Sequence, residues 1–139
     1  MYSLRIGTYD DLPDVLELAE ELFNTSVYRK FHKFDKSRIA SLYLESLTKP
    51  QDEICTVLLT KDGNTVGFIT MVAQPAAFSD AFIAAEMGFF IREEERNYSS
   101  IKRLQEAFYY WAKRIGCSSL IQGKINQDSN PETFKIRRI

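Results

Sequence analysis

The spacing of hydrophobic positions changes period several times along the chain, and each change marks an element. From Ser3 to Tyr9, Leu4 and Ile6 alternate with Arg5 and Gly7, the period of a strand with one buried face. Asp10, Asp11 and Pro13 then signal a helix start, and Val15, Leu16, Leu18, Ala19, Leu22 and Phe23 supply its inner stripe up to Asn24-Thr25-Ser26. Val27 to Phe34 mixes aromatic and basic residues without a period and reads as a loop or short helix. Asp35 or Ser37 can cap a second helix carrying Ile39, Leu42, Tyr43, Ser46 and Leu47, which Pro50 ends.

Two β-rich runs follow, Ile54 to Lys61 and Thr65 to Ala73, joined by Asp62-Gly63-Asn64, a tight-turn signal that predicts an antiparallel hairpin. After a loop over Gln74 to Asp80, Ala81 to Ile91 reads as another strand. A helix from Ser99 to Gly116 is predicted by Ile101, Leu104, Ala107 or Phe108, Trp111, Ala112 and Ile115 at spacings of three and four, with Gly116 as its cap. Ser118 to Ile125 is a strand, and Glu132 to Ile139 is expected to be a short helix. The order β-α-α-β-β-β-α-β-α predicts one α/β domain (an α+β mixed sheet) over residues 1–139.

Composition narrows the functional classes. Eighteen Lys and Arg against nineteen Asp and Glu give a formal net charge of −1, which argues against a nucleic-acid binder despite the basic stretches around His32 and at Lys135 to Arg138. The single histidine, His32, is expected to be a structural or surface residue. Cys55 and Cys117 belong to no CxxC or Cys/His cluster, so they are expected to be reduced and buried, with no metal site and no disulfide framework. No run of eighteen apolar residues and no amino-terminal leader pattern occurs, and the expected location is the cytoplasm.

The segment from Glu86 to Leu120 combines a strand, a charged turn, a long amphipathic helix and a further strand. Phe89-Phe90-Ile91 ends the first strand, Arg96-Asn97-Tyr98-Ser99-Ser100-Ile101 opens the helix, and Trp111-Ala112-Lys113-Arg114-Ile115-Gly116 closes it. This resembles the GNAT family of acyl-CoA-dependent N-acetyltransferases, particularly its small members common in bacteriophages, whose turn motif is (Q/R)-x-x-G-x-(G/A). Element order carries the resemblance over nearly all of the chain, and individual residues over about Ala85 to Asn126.

The resemblance implies acetyl-CoA as donor, with coenzyme A held by the strand and the helix start, and an amine-bearing small molecule or protein as acceptor. It assigns the catalytic base to Glu86 and cofactor contacts to Phe89, Phe90, Ile91, Arg96, Ser99, Ser100 and Asn126. Physically, the first-turn amides of a helix and its dipole can grip a pyrophosphate when no side chain intervenes. Here serine stands at the first glycine position and Ile101 at the Gly/Ala position, so Ile101 either intrudes on the phosphates or points into the core. Arg92-Glu93-Glu94-Glu95 adds carboxylates beside that turn. The family's general-acid tyrosine has no counterpart after Tyr110.

Two functions follow from this balance. One is acetyl transfer to a primary amine; the other is a catalytically inactive GNAT-like domain with a structural or interaction role, in a virion or at a host target if the chain is phage-encoded. The chain also ends early relative to the family, which predicts an uncovered edge beside Ser118 to Ile125, open to a homo-oligomer or larger assembly.

Overall fold

The computed structural model describes residues 1–123 and 134–139. Its elements are β1 (Tyr2–Ile6), α1 (Leu12–Thr25), α2 (Lys36–Thr48), β2 (Ile54–Lys61), β3 (Asn64–Pro75), β4 (Phe82–Ile91), α3 (Tyr98–Arg114), β5 (Ser119–Gly123) and β6 (Phe134–Arg138). The six strands form one sheet in sequence order. All neighbours are antiparallel except β4 and β5, which run parallel with α3 as the crossover between them.

Each helix lies where its apolar stripe finds a sheet face. Val15, Leu18 and Ala19 of α1 and Tyr43 of α2 pack with Leu58, Phe68 and Phe90 on one side. On the other side, Leu104, Phe108, Trp111 and Ala112 of α3 pack with Leu59, Ile69, Met71, Ala84, Ile91 and Leu120. Burial of each such large side chain contributes about 1.5–3 kcal/mol. Both cysteines are free and buried, Cys55 and Cys117 within the α3 layer.

Local signals set the boundaries. Asp62 and Gly63 both have positive φ, 52° and 82°, the turn whose twist matches a two-residue hairpin. Asp35, one of the two candidate caps, accepts from the Arg38 amide at 3.1 Å. Gly116 has φ 88°, and with the Gly116 and Cys117 amides bonded back to Lys113 and Ala112 it closes α3 in a Schellman arrangement.

Three expectations are corrected. The carboxyl-terminal helix over Glu132 to Ile139 is instead β6, antiparallel to β5 from Ser119↔Arg138 to Gly123↔Phe134. A segment this short gains little as an isolated helix, whereas the edge of β5 offers backbone partners at once. The edge expected to be bare is therefore covered by the chain itself, and the edge strand at that end of the sheet is β6. Leu4 and Ile6, expected on a buried face, are 38% and 45% exposed, because β1 is the outermost strand on the side where α3 packs.

Opposite them, Arg5 forms a bidentate pair with buried Asp11, at 2.7 and 2.6 Å. Asp11 also accepts from the Thr8 amide and hydroxyl, so the start of α1 is anchored to β1. The Arg5 guanidinium beside it holds the Asp11 carboxyl at about 2, below its ordinary 3.8. A depressed carboxylate contributes stability above its unfolded pKa and loses it as pH falls through the folded value. Asp11→Asn should therefore lower unfolding free energy by about 1–2 kcal/mol at pH 7, with the difference from wild type shrinking between pH 4 and 2; denaturant melts across that range check it.

Candidate functional site

The sheet comes apart at one place. Among the described residues β4 and β5 pair only at Ile83↔Ser119, Ala84↔Leu120 and Ala85↔Ile121, yet β4 runs on to Ile91 with β3 still on its other side. The cause is visible in the β3 ladder. Thr70 faces Gly88 and Met71 faces Glu86, so Met87 is an extra residue in β4. Such a bulge bends and twists its strand, which swings the second half of β4 away from β5. Among the described residues the backbone of Glu86 to Ile91 on that side has no ladder partner, a row of donors and acceptors that a ligand could meet.

Glu86 is the first residue past the last pair, at the vertex of the opening. It is half-buried, and its Oε2 is out of solvent. Its cross-strand neighbour Met71 belongs to the layer under α3, which places Glu86 on that face. Phe89, Phe90 and Ile91 form the wall beyond it. Their side chains pack into the two core layers, Phe90 and Ile91 fully, so what they offer the opening is backbone.

The turn from β4 to α3 lies at the mouth, and its side chains bond to the protein itself. Arg92 reaches Glu17 and Glu21 of α1, at 3.1 and 3.2 Å. Glu95 turns away toward β1 and β2: the Tyr2 hydroxyl donates to it at 2.7 Å and Lys61 lies 3.2 Å away. The Tyr2 hydrogen bond and then Lys61 lower the Glu95 pKa, so it stays ionised and directed off the helix start. Glu93 and Glu94 are exposed.

Arg96 also turns inward. Its Nε donates to the Ile91 carbonyl at 2.7 Å, and its guanidinium lies 5.2 Å from the centroid of the Phe90 ring. Asn97 caps α3 by accepting from the Ser100 amide, and the Ser100 hydroxyl accepts from the Asn97 amide and donates to the Glu95 carbonyl at 2.7 Å. Ser100 is fully buried. Ser99, by contrast, is exposed in the first turn, where the amides of Tyr98 and Ser99 have no acceptor within the helix. Of the two places open to Ile101, the structure gives the core: the side chain is half-buried against the α3 layer.

The predicted residues thus separate into groups. Glu86 and the Phe89 to Ile91 backbone share the opening, and Ser99 stands at its mouth. Arg96 and Ser100 belong to the internal bonding of the turn, while Asn126 lies outside the described residues. The bulge at Met87 was not anticipated; Gly88, a glycine inside an apolar strand, was the available signal. His32 is exposed in the loop between α1 and α2, its ring 6.2 Å from that of Tyr28. Among the described residues no group of three His, Cys, Asp or Glu side chains is placed to hold a metal ion, and no helix is long and apolar enough to cross a membrane.

No protein-family model and no curated protein matches the chain. Solved structures do. AAC(6')-Iy in complex with the bisubstrate analogue CoA-S-monomethyl-acetylneamine superposes with a TM-score of 0.72 at 17% identity, over 95% of this chain and 82% of that one. A GNAT family acetyltransferase of Staphylococcus aureus gives 0.62 at 16% identity, over 93% and 90%. A transcriptional regulator from Bacillus halodurans gives 0.71 at 18% identity, over 91% and 83%. The chain has the mixed α/β fold of GNAT acyl-CoA N-acyltransferases.

Because Ile101 packs inward, Ile101→Gly should cost about 2 kcal/mol of stability and leave affinity for coenzyme A no higher. Denaturant melts and calorimetric titration check this. A rise in affinity at unchanged stability would put the side chain in the anion's path.

Proposed function

We propose that this chain is an acyl-CoA-dependent N-acetyltransferase that moves an acetyl group from acetyl-CoA to a primary amine. The observation that carries the reading is the opening between β4 and β5 with a carboxylate at its vertex. Acetyl-CoA supplies an activated thioester carbonyl. The chain has to hold that carbonyl, deprotonate the amine and bring the two together.

Each task has a residue. The Glu86 carboxylate takes the proton from the amine, directly or through a water, so that the nitrogen lone pair can attack the thioester carbon; the C–S bond then breaks and coenzyme A leaves as a thiolate that takes up a proton from water. Backbone amides between Phe89 and Ile91 donate to the thioester oxygen as negative charge develops on it, and to the carbonyls of the pantetheine arm. These unladdered groups fit an amide-bearing chain laid along β4. At the mouth, the first-turn amides of α3 and the Ser99 hydroxyl receive the pyrophosphate. Arg96 and Ser100 act one step back: they shape the turn with their own hydrogen bonds, a function that glycines perform in the family motif by leaving the backbone bare.

A second reading is favoured by that same closed turn. With Arg96 directed at Ile91 and Ser100 buried, fewer side chains face the anion position than the motif implies. A GNAT-fold module without catalysis, serving an interaction or structural role as in a phage particle, is consistent with it.

Calorimetric titration with acetyl-CoA separates the two. Micromolar binding at one site is expected, and no binding by folded protein would sink the transferase reading. Glu86→Gln should then slow acetyl transfer by about a hundred-fold or more while the coenzyme A affinity changes less than about two-fold. An unchanged rate would remove Glu86 from the chemistry.

A further inference from the structure

Charge is unevenly spread over this nearly neutral chain. The segment from Arg29 to Arg38 holds five cations, Arg29, Lys30, Lys33, Lys36 and Arg38, against one carboxylate, Asp35. That stretch is therefore +4 within a chain of net charge −1, which leaves −5 on all the other residues together. The five cations are exposed, and among the described residues none of them enters an ion pair. Elsewhere in the fold Arg5, Lys49, Lys61, Arg92 and Lys102 each have a carboxylate partner.

The segment is held in shape without neutralising that charge. Arg29 donates to the Asn24 carbonyl, a neutral acceptor. The amides of Phe31 and His32 return to the Tyr28 carbonyl at 3.0 and 2.9 Å and close the 3-10 turn over Val27–Lys30. Next to them the Phe34 ring lies 5.7 Å from that of Phe23 and packs against the α1 and α2 layer. Asp35 is engaged as the cap of α2, accepting from the Arg38 amide. Lys36 and Arg38 then stand in the first turn of α2, which has no acidic residue, and cations at that end oppose the helix dipole. Like charges gathered in this way cost the isolated chain stability, and an anionic partner offsets that cost.

The same segment presents apolar surface between its charges. Phe31 is 77% exposed and Tyr28 54%. An adjoining groove of about 570 Å³ is lined by Glu20, Lys33, Phe34, Asp35, Lys36 and Ser37, so it offers an aromatic ring among charges of both signs.

We propose that the segment from Tyr28 to Arg38 docks an acidic stretch of another polypeptide, one in which carboxylates alternate with apolar side chains. The carboxylates face the five cations, and the apolar side chains cover Phe31 and enter the groove beside Phe34. The negative remainder of this chain repels a long polyanion, which confines the partner's charge to a short run. This docking is independent of acetyl transfer.

Fluorescence anisotropy with labelled decapeptides of repeating Glu-Leu and repeating Gln-Leu tests it. The acidic peptide should bind about ten-fold more tightly than its neutral counterpart, and the difference should largely vanish in roughly 1 M salt, where screening is short-ranged. The double substitution Lys30→Glu with Lys33→Glu should weaken the acidic peptide about ten-fold or more, whereas Arg103→Glu with Lys113→Glu, an equal change of charge on α3, should leave its affinity within about two-fold. Phe31→Ser should weaken both peptides. Circular dichroism checks that each variant is folded.

A wild type that does not distinguish the two peptides, or a control pair on α3 that loses as much affinity as the pair in the segment, overturns the proposal. So does a single-stranded RNA of ten nucleotides that binds as tightly as the acidic peptide, since the surface would then take any polyanion. Sedimentation of the protein alone covers the remaining occupant: a dimer that dissociates on Lys30→Glu with Lys33→Glu would assign the segment to a second copy of this chain and also overturn it.

Discussion

One extra residue in β4 is the constraint on which the candidate site depends. Were Met87 absent from the ladder count, β4 could lie straight beside β5 and every backbone group between them would pair. With it, among the described residues, three rungs hold the strands together and the rest of β4 has no strand partner on that side. A bare inner strand is costly in any folded protein, because its amides and carbonyls have given up water without gaining each other. Here the groups border an opening, and a ligand with its own amides can complete what the sheet leaves undone.

The turn after β4 solves a different problem. Glycine-rich turns let an anion approach by having nothing in the way, but they have no side chains to hold their shape. In this chain Arg92, Glu95, Arg96, Asn97 and Ser100 each bond to a named partner, and among those partners Glu17 and Glu21 lie on α1, Tyr2 on β1 and Lys61 on β2. The turn is therefore stiff and tied to both α1 and β1. Stiffness of this kind favours a preformed site over one that closes around its ligand.

Legibility in the sequence followed the range of the forces involved. The β2–β3 hairpin was readable because Asp62-Gly63 dictates its own turn, and α3 was readable because Leu104, Phe108 and Trp111 repeat at helical spacing. The Schellman close at Gly116 is equally local. β6 was not readable, since Phe134 to Arg138 has no strong preference and becomes a strand only because β5 offers it an edge. Leu4 and Ile6 looked like core for want of knowing that β1 would be outermost. At the site, Glu86 and the strand end were placed by resemblance, while the inward turn of Arg96 and Ser100 was hidden, because which hydrogen bonds a short polar side chain makes depends on the neighbours the fold brings.

Three rungs are also a mechanical seam. On one side of it stands a four-stranded unit, β1 to β4, with α1 and α2; on the other stands the two-stranded ribbon β5–β6. Helix α3 bridges them, with Leu104 and Phe108 in the same layer as both Met71 and Leu120. The width of the opening thus depends on the apolar packing between the two sides as well as on the residues that line it. Substitutions far from the chemistry, at Leu120 or Cys117, would act as spacers, setting the gap for a thicker or thinner guest without touching it.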